Sequence, residues 1–410
     1  MSKFKWILAV VCGVLVIIAA TQYNSWSAKR KLGNEASLDH FKNELSESLL
    51  SPERFDVYLN AGLDMNSIIS ETGLEDMTIL QRLIMKKQNL FARKMIERGF
   101  IHGTNNRSQT ALMTACLMKN EPLVKLLVEK GADVNARDND EMTALHYLFE
   151  PLQTSTCVEK DSGNVECTLT DAVMDLATAK HQSKILELLM AKGAEPSARN
   201  IQGRSILAAA VRRGTPEAVR MILKRLPKAD LSPDGGGENL LHAASEGDDP
   251  EMVTLVLNEI PGGKKLLEAR NQAGMTPVMN VTESSVLRTM ADAGANVHAI
   301  DKDGNTLLHH IVANGTEEEK FSLIKLALKL GVDPNVANKN GQVALMEAAR
   351  KCDVTSAAVL YDKTTKVKIT RKQLRDIFEM SCEDSGKADK IDRILTANKT
   401  ISKDNSPVRK

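Results

Sequence analysis

Apolar residues recur at helical spacing in short runs through most of the chain, and each run is followed by a polar break. In residues 121–138, Leu123, Leu126 and Leu127 give this spacing. Gly131 follows as a residue suited to the left-handed end of a helix. A shorter apolar run precedes the Leu-rich run. The pattern therefore predicts successive pairs of short helices, each followed by an extended segment and a turn.

The first helix of each pair opens on a similar seven-residue segment. Most successive segments begin 30–37 residues apart, and one interval of 62 residues contains an insertion of about 29. The second residue of a segment usually carries a hydroxyl or amide, which can accept hydrogen bonds from free N–H groups at a helix start. The predicted N-caps are Thr78, Thr110, Thr143, Ser205, Asn239, Thr276 and Thr306, with Val343 as the exception.

This pattern resembles the ankyrin repeat, whose unit has about 33 residues and a T-P-L-H-x-A core motif. Several units depart from it, because only Thr276 is followed by proline, and Ser108 and Glu141 stand where a turn glycine is usual. The resemblance implies an all-α ankyrin-repeat solenoid of about ten helix-pair units with short β-hairpin-like turns. The segments that carry the resemblance are Thr143–His146, Asn239–His242, Thr306–His309 and Gly131–Ala136.

Domain boundaries follow from the repeat and from the segments that interrupt or flank it. Polar terminal units are expected, because an uncapped unit would expose its stacking face. The predicted organisation is a signal peptide or membrane anchor at 1–31, a degenerate capping repeat at 32–70, ankyrin repeats at 71–370 with an insertion at about 151–182, a C-terminal capping helical pair at 371–397 and a flexible tail at 398–410.

The N-terminus has the pattern of an export signal. Lys3 and Lys5 precede an apolar run at residues 6–20, which is short for a membrane span and typical of a secretory signal. Tyr23 and Trp26 suit a membrane interface. We favour an uncleaved signal-anchor that places the repeats in the bacterial periplasm. A cleaved signal, with secretion to the periplasm, and a cytoplasm-facing adaptor stay open, because the flanking positive charges are nearly balanced.

The cysteines agree with an oxidising compartment. Cys157 and Cys167 flank nine residues that contain a turn sequence, and we expect a small hairpin closed by a disulfide. Cys352 and Cys382 lie 30 residues apart, close to the repeat period, so a second bridge between neighbouring helix pairs is also predicted. Free thiols are the alternative for each pair. Disulfides would place the protein outside the reducing cytoplasm.

Composition and motifs point away from catalysis. The net charge is +1, and no patch combines basic and aromatic residues, which argues against a nucleic-acid partner. The sequence contains no HExxH, GxSxG, GxGxxG or phosphate-binding loop. We therefore predict a protein that is not an enzyme, with no catalytic residues, no metal, no cofactor and no small-molecule substrate.

The resemblance implies a protein–protein interaction module that binds a protein partner along a concave groove, through the turns and the ends of the first helices. An immunity or inhibitor protein that neutralises a toxin or enzyme is an alternative within this class. The candidate partner-binding residues are Arg137, Asp138, Asn139, Glu150, Arg204, Arg212, Arg213, Glu246, Glu283, Lys302, Asp303, Asn314, Lys339, Arg350 and Lys351.

Overall fold

The computed structural model describes residues 41, 44, 51–61, 63–69, 76–151, 153–159, 165–171, 176–226, 228–247, 249–316, 318–363 and 371–381. At 69, 153–159, 165–171, 176–178, 362–363 and 371 it describes the backbone alone. The described residues form two compact units, those up to residue 195 (unit 1) and those from residue 196 onward (unit 2).

Unit 1 consists of short helices with two small antiparallel sheets. Strand β1 (Ile68–Ile69) pairs with β2 (Met77–Thr78), and β3 (Gln153–Glu159) pairs with β4 (Val165–Asp171). The helices are α1 (Pro52–Asn60), α2 (Ile79–Met85), α3 (Asn89–Glu97), α4 (Ala111–Leu117), α5 (Glu121–Glu129), α6 (Ala144–Phe149) and α7 (Leu176–Ala191).

Unit 2 continues the same alternation of first and second helices. Short 3₁₀ segments occupy Gly263–Leu266 and Pro277–Asn280. The helices are α8 (Ile206–Arg213), α9 (Pro216–Leu223), α10 (Leu240–Ser245), α11 (Pro250–Asn258), α12 (Ser284–Asp292), α13 (Leu307–Asn314), α14 (Lys320–Lys329), α15 (Ala344–Arg350), α16 (Val354–Lys363) and α17 (Arg371–Ser381).

The capping residues predicted from the repeat all lie at the N-cap of a first helix. Thr110 is representative, because its hydroxyl accepts from the Met113 N–H at 3.3 Å. Val343 holds the same place with an extended backbone and no side-chain hydrogen bond. The Thr276 unit forms a 3₁₀ turn instead of an α-helix. Its start lies only 30 residues before the next, which leaves less chain for two full helices.

Small apolar side chains let the first helices stack closely. In unit 1, α4 packs against both α2 and α6, and its Leu112, Ala115 and Cys116 are buried. In unit 2, α15 packs against α13 and buries Ala348 and Ala349 in the same way. The core is therefore built mainly from Leu, Ile, Val, Ala and Met, which agrees with the 3% aromatic content of the chain.

Several predicted segments fall outside the description or are described in part. Residues 1–31 and the tail at 398–410 lie outside the described residues, as does Cys382. Of the predicted C-terminal pair, the structure describes helix α17. Among the residues it describes, no helix is both long and apolar enough to span a bilayer.

Candidate functional site

The turns that join successive repeats are called the tips, and they are defined by residues 105–108, 138–141, 200–203, 234–237, 271–274, 301–304 and 338–341. A backbone hydrogen bond joins each tip to the next within a unit. In unit 1 the Asn139 N–H donates to the Arg107 carbonyl at 2.9 Å. In unit 2 the Lys302 N–H donates to Ala273 O at 3.0 Å, and the Lys339 N–H donates to Asp303 O at 2.8 Å. The tips within a unit are therefore held in a fixed register.

The side chain of the first residue in each tip holds the turn in its conformation through hydrogen bonds. The first residue is an Asp or Asn whose Oδ1 accepts the backbone N–H of the fourth residue that follows and, except at Asn200, also that of the second, as Asp138 does for Met142 and Asp140 at 2.8 and 3.0 Å. Asp138 is only 6% exposed, and its other oxygen accepts from Tyr147 OH at 2.6 Å. The carboxylate of this predicted contact residue is thus used within the fold.

A run of three glycines forms one tip of unit 2. A Cβ on Gly235 would lie 2.9 Å from Gln202 O, and Gly237 has φ +79°, a conformation that favours glycine. The Gly235 N–H donates to Gln202 O at 2.6 Å, and the Gln272 N–H donates to Gly236 O at 2.9 Å. Here glycine lets consecutive tips approach each other.

Arg212 of α8 is fixed by two carboxylates of the next repeat. It forms ion pairs with Glu238, at 2.8 Å, and with Glu246, and its side chain is 18% exposed. Burial raises the pKa of Glu246, although the charge of Arg212 opposes that rise. Because Glu246 also contacts Asn280 of the following repeat at 3.5 Å, Arg212 belongs to a polar chain that links three repeats.

Sequence reasoning missed two arginines, the half-buried Arg199 and the exposed Arg270, whose guanidinium groups bind the tips of unit 2. Arg199 forms an ion pair with Asp230 at 2.5 Å and donates to Ser232 O at 3.2 Å. Arg270 donates to Gly274 O and Ile300 O, each at 2.6 Å. Each arginine follows a second helix and directly precedes a tip. That position in the repeat is the signal that could have identified them.

Other predicted contacts lie at the surface. Arg350 of α15 reaches back along its helix, and its guanidinium lies 2.6 Å from Gln342 Oε1 and 2.7 Å from Glu347 Oε2. Lys351 donates to Ala313 O at 2.5 Å, so it binds the end of the preceding first helix. The remaining predicted residues that are exposed are Arg137, Asn139, Arg213, Lys302, Asp303, Asn314 and Lys339, while Glu150, Arg204 and Glu283 are half-buried.

Lys119 is a half-buried cation that the site prediction did not include. Its ammonium donates to the carbonyls of Glu150, at 2.9 Å, and Tyr147, at 3.4 Å, which terminate α6 of the next repeat. Burial lowers the pKa of Lys119 to about 8. Among the described residues, no group of three or more His, Cys, Asp or Glu side chains is arranged to hold a metal ion.

The fold and these surfaces define a class, the helical repeat proteins that present stacked tips and first-helix ends. A family model described as ankyrin repeats matches residues 54–153, 173–269 and 263–372, which together exceed half of the chain. The chain belongs to the ankyrin-repeat family.

The chain is also similar to several named proteins. It is 25% identical over 304 residues to the NAD-dependent deacetylase sir2B of Dictyostelium discoideum, covering 69% of this chain and 32% of that protein. It is 27% identical over 211 residues to the B-cell lymphoma 3 protein homolog of Mus musculus, covering 50% of this chain and 44% of that protein. The chain therefore spans less than half the length of these curated relatives.

A solved structure gives a further likeness. The human ASB11 ankyrin repeat domain aligns with 62% of this chain and 98% of its own, at 17% identity and a TM-score of 0.43. Membership of a repeat family that forms interaction modules supports a protein–protein interaction role for this chain.

Proposed function

We propose that this protein is a non-enzymatic binding protein that is exported, or tethered to the bacterial inner membrane, and recognises a protein partner through the tips and first-helix ends of its repeats. The observation that carries the binding proposal is the hydrogen-bonded register of successive tips in each unit. A surface fixed in this way loses little conformational freedom when a partner binds, which favours affinity.

Exposed polar groups would give the surface its specificity. Lys302, Asp303 and Lys339 lie on neighbouring tips of unit 2, and Asn139 lies on a tip of unit 1. Mixed charge of this kind contributes more to partner choice and association rate than to affinity. We leave Arg212 out of the proposed contact surface, because Glu238 and Glu246 already bind its guanidinium.

Export rests on the sequence of the N-terminus. Basic residues, an apolar run of 15 residues and an aromatic-rich boundary together favour a signal or signal-anchor. An alkaline phosphatase fusion to the C-terminus of the full chain tests this proposal, because that reporter is active only in the periplasm. An inactive fusion with a stable, abundant product would support the cytoplasm-facing adaptor and contradict export.

Site-specific photo-crosslinking in cells tests the binding surface. A photoreactive residue at Asn139 or Lys339 would lie on a tip, and matched probes at Lys125 of α5 and Lys325 of α14 would lie exposed on second helices. We expect one discrete crosslinked product from the tip positions and none from the second helices. Crosslinks confined to Lys125 or Lys325 would contradict recognition through the tips.

A further inference from the structure

The hairpin formed by β3 and β4 brings two cysteines to directly paired positions. Its register runs from Gln153 opposite Asp171 to Glu159 opposite Val165, with Cys157 opposite Cys167 inside the ladder. Directly opposed residues of antiparallel strands have Cα atoms about 4.5 or 5.5 Å apart, depending on the type of pair. Both separations fall within the range of about 4.4–6.8 Å that a disulfide spans without backbone movement.

The register is specific for this pairing. A slip of one residue would bring Cys157 opposite a residue other than Cys167 and would move every side chain of that strand to the other face. The strands are rich in threonine, and the ladder also pairs Thr154 with Thr170 and Thr156 with Thr168. Beta-branched residues favour strand conformation, so the sequence supports the same hairpin.

The other cysteine described in unit 1 does not compete for this reaction. Cys116 is fully buried in α4, and burial raises its pKa to about 12. Thiol–disulfide exchange requires an accessible thiolate. Cys116 is thus expected to stay a thiol under conditions that oxidise an accessible pair.

We propose that Cys157 and Cys167 form a cross-strand disulfide, and that this bond decides whether the hairpin of the insertion is ordered. An isolated two-stranded hairpin is only marginally stable in water, so a covalent link between its strands has a large effect on its population. The bridge would close a loop of nine intervening residues. The bridged chain could then no longer adopt the open conformations that the reduced chain can adopt.

The oxidant is a disulfide-containing thiol oxidoreductase or a small-molecule disulfide. The thiolate of one cysteine attacks a sulfur of the oxidant and releases one of its two thiols. The thiolate of the second cysteine then attacks the mixed disulfide, so the Cys157–Cys167 bond forms as the oxidant leaves. Two electrons pass to the oxidant, which ends as two thiols. In cells the availability of such an oxidant rests on the proposed export, because the cytoplasm keeps thiols reduced.

A peptide map of the full chain tests the bridge. Lys160 lies between the two cysteines, so trypsin places Cys157 in peptide 138–160 and Cys167 in peptide 161–180. After incubation with oxidised glutathione and alkylation of free thiols, we expect the two peptides to be joined and two hydrogen atoms lighter than their sum. Cys116 serves as the internal control and should become alkylated only after denaturation. Separate peptides that carry alkyl or glutathione adducts would overturn the proposal.

Limited proteolysis tests the effect on hairpin order. Thermolysin cleaves before apolar residues such as Val158 and Leu169, and we expect reduction to speed cleavage within 153–171 at least tenfold. The Cys157→Ser, Cys167→Ser double variant should be cleaved at the fast rate with or without reductant, whereas Cys382→Ser should behave as the parent does. Equal rates for the oxidised parent and the double variant would overturn the dependence of order on the bond.

Alkylation of thiols in intact cells separates this inference from the proposed export. A bridge found both with glutathione and in cells supports both proposals. A bridge that forms with glutathione but is absent in cells supports the disulfide and contradicts export.

Discussion

The imidazole of His310 lies 3.0 Å, Nε2 to Oδ2, from the carboxylate of Asp301, and both side chains are at least 90% buried. The other oxygen of Asp301 accepts the backbone N–H groups of Asp303 and Asn305, each at 2.8 Å. Burial lowers the pKa of His310, so the neutral ring donates its Nε2–H to Asp301. One carboxylate therefore joins the tip to the first helix of its own repeat.

Unit 1 contains the same relationship with a different donor. Tyr147 OH donates to Asp138 Oδ2 at 2.6 Å, and the two residues are again nine positions apart. Where the ninth residue is Asn280 or Glu347, the tip residue is an asparagine, Asn271 or Asn338. The carboxylates of Asp138 and Asp301 thus join tip and helix, whereas Asn271 and Asn338 accept backbone N–H groups of their own tips.

Replacing Asp301 by Asn should destabilise unit 2 by about 1–2 kcal/mol, because the amide can still hold the tip but loses the charge-assisted bond to His310. Urea unfolding followed by circular dichroism measures the change. Asp234→Asn is the matched control, since Ala243 is its ninth residue and cannot donate. The control should change stability by less than about 0.5 kcal/mol. Equal losses in the two variants would contradict the role of the His310 contact.

Acidification should destabilise unit 2 through two histidines of the core motif. His242 and His309 accept the N–H of Asn239 and Thr306 at Nδ1, at 3.3 and 3.1 Å, and their Nε2 atoms contact carbonyl oxygens. Burial lowers the pKa of both residues. The folded state then binds fewer protons than the unfolded state, whose histidines have a pKa of about 6.5. The free energy of unfolding is therefore unaffected by these histidines above that pH and falls as the pH decreases below it.

Gln81 of unit 1 supplies the control for this pH effect. Its side chain accepts from the Thr78 N–H at 2.8 Å and donates to Gln109 O at 2.8 Å, so it makes the same two bonds without titrating. The His242→Gln, His309→Gln variant should keep its stability at pH 7.5 and show a smaller decline down to pH 5.5, with the remaining decline assigned to His310, whose pKa burial also lowers. His298→Gln, at an exposed position, should leave the decline unchanged. A decline of unchanged size in the double variant would rule out His242 and His309 as its source.

The repeat made most of the architecture predictable, because one short pattern determines both the capping residue and the apolar face of each unit. Even the departures from the motif were informative. Ser108 and Glu141, which stand at turn-glycine positions, have φ of +62° and +57°, in the region occupied by Gly203, Gly274 and Gly304. The turn therefore keeps a positive φ at this position even where the sequence has a residue other than glycine.

Glu141→Gly should stabilise unit 1 by about 0.5–1 kcal/mol, because a side chain in the left-handed region costs energy that glycine avoids, with part of the gain offset by the greater flexibility of the unfolded chain. The variant also removes the ion pair with Arg137, but that pair joins exposed groups at 3.4 Å and contributes little to stability. The shift of the thermal midpoint measures the effect. Glu129→Gly, within the helix α5, should lower the midpoint instead, and a lower midpoint for Glu141→Gly would contradict strain at the tip.

The candidate surface was less predictable than the fold. The positions of Arg212 and Asp138 in the repeat suggested surface contacts, yet both use their charged groups inside the protein. Repeat position gives the direction of a side chain, but whether that side chain is available depends on the residue opposite it in the next repeat. For Arg212 the opposite residue is Glu246, which lies 34 positions further along the chain. The sequence of a single repeat therefore does not show this contact.

Lys320 and Asp353 form a buried ion pair between the last repeats of unit 2, and its loss should be costly. The Nζ and Oδ2 atoms lie 2.9 Å apart, with side chains 9% and 5% exposed, and Asp353 also accepts from Ser356 N and Oγ at 2.9 and 2.6 Å. Lys320→Ala leaves the carboxylate buried without its cation, so we expect a loss of about 3 kcal/mol. Urea unfolding measures it against Lys329→Ala, an exposed lysine of the same helix.

A second variant separates lost charge from lost packing at this pair. In Lys320→Met the aliphatic volume is kept and the cation is removed, and adding Asp353→Asn removes the remaining buried charge while keeping a group that can accept from Ser356. We expect Lys320→Met alone to be nearly as unstable as Lys320→Ala, and the double variant to recover at least half of the loss. Full stability of Lys320→Met alone would mean that packing of the lysine stem, not its charge, holds these repeats together.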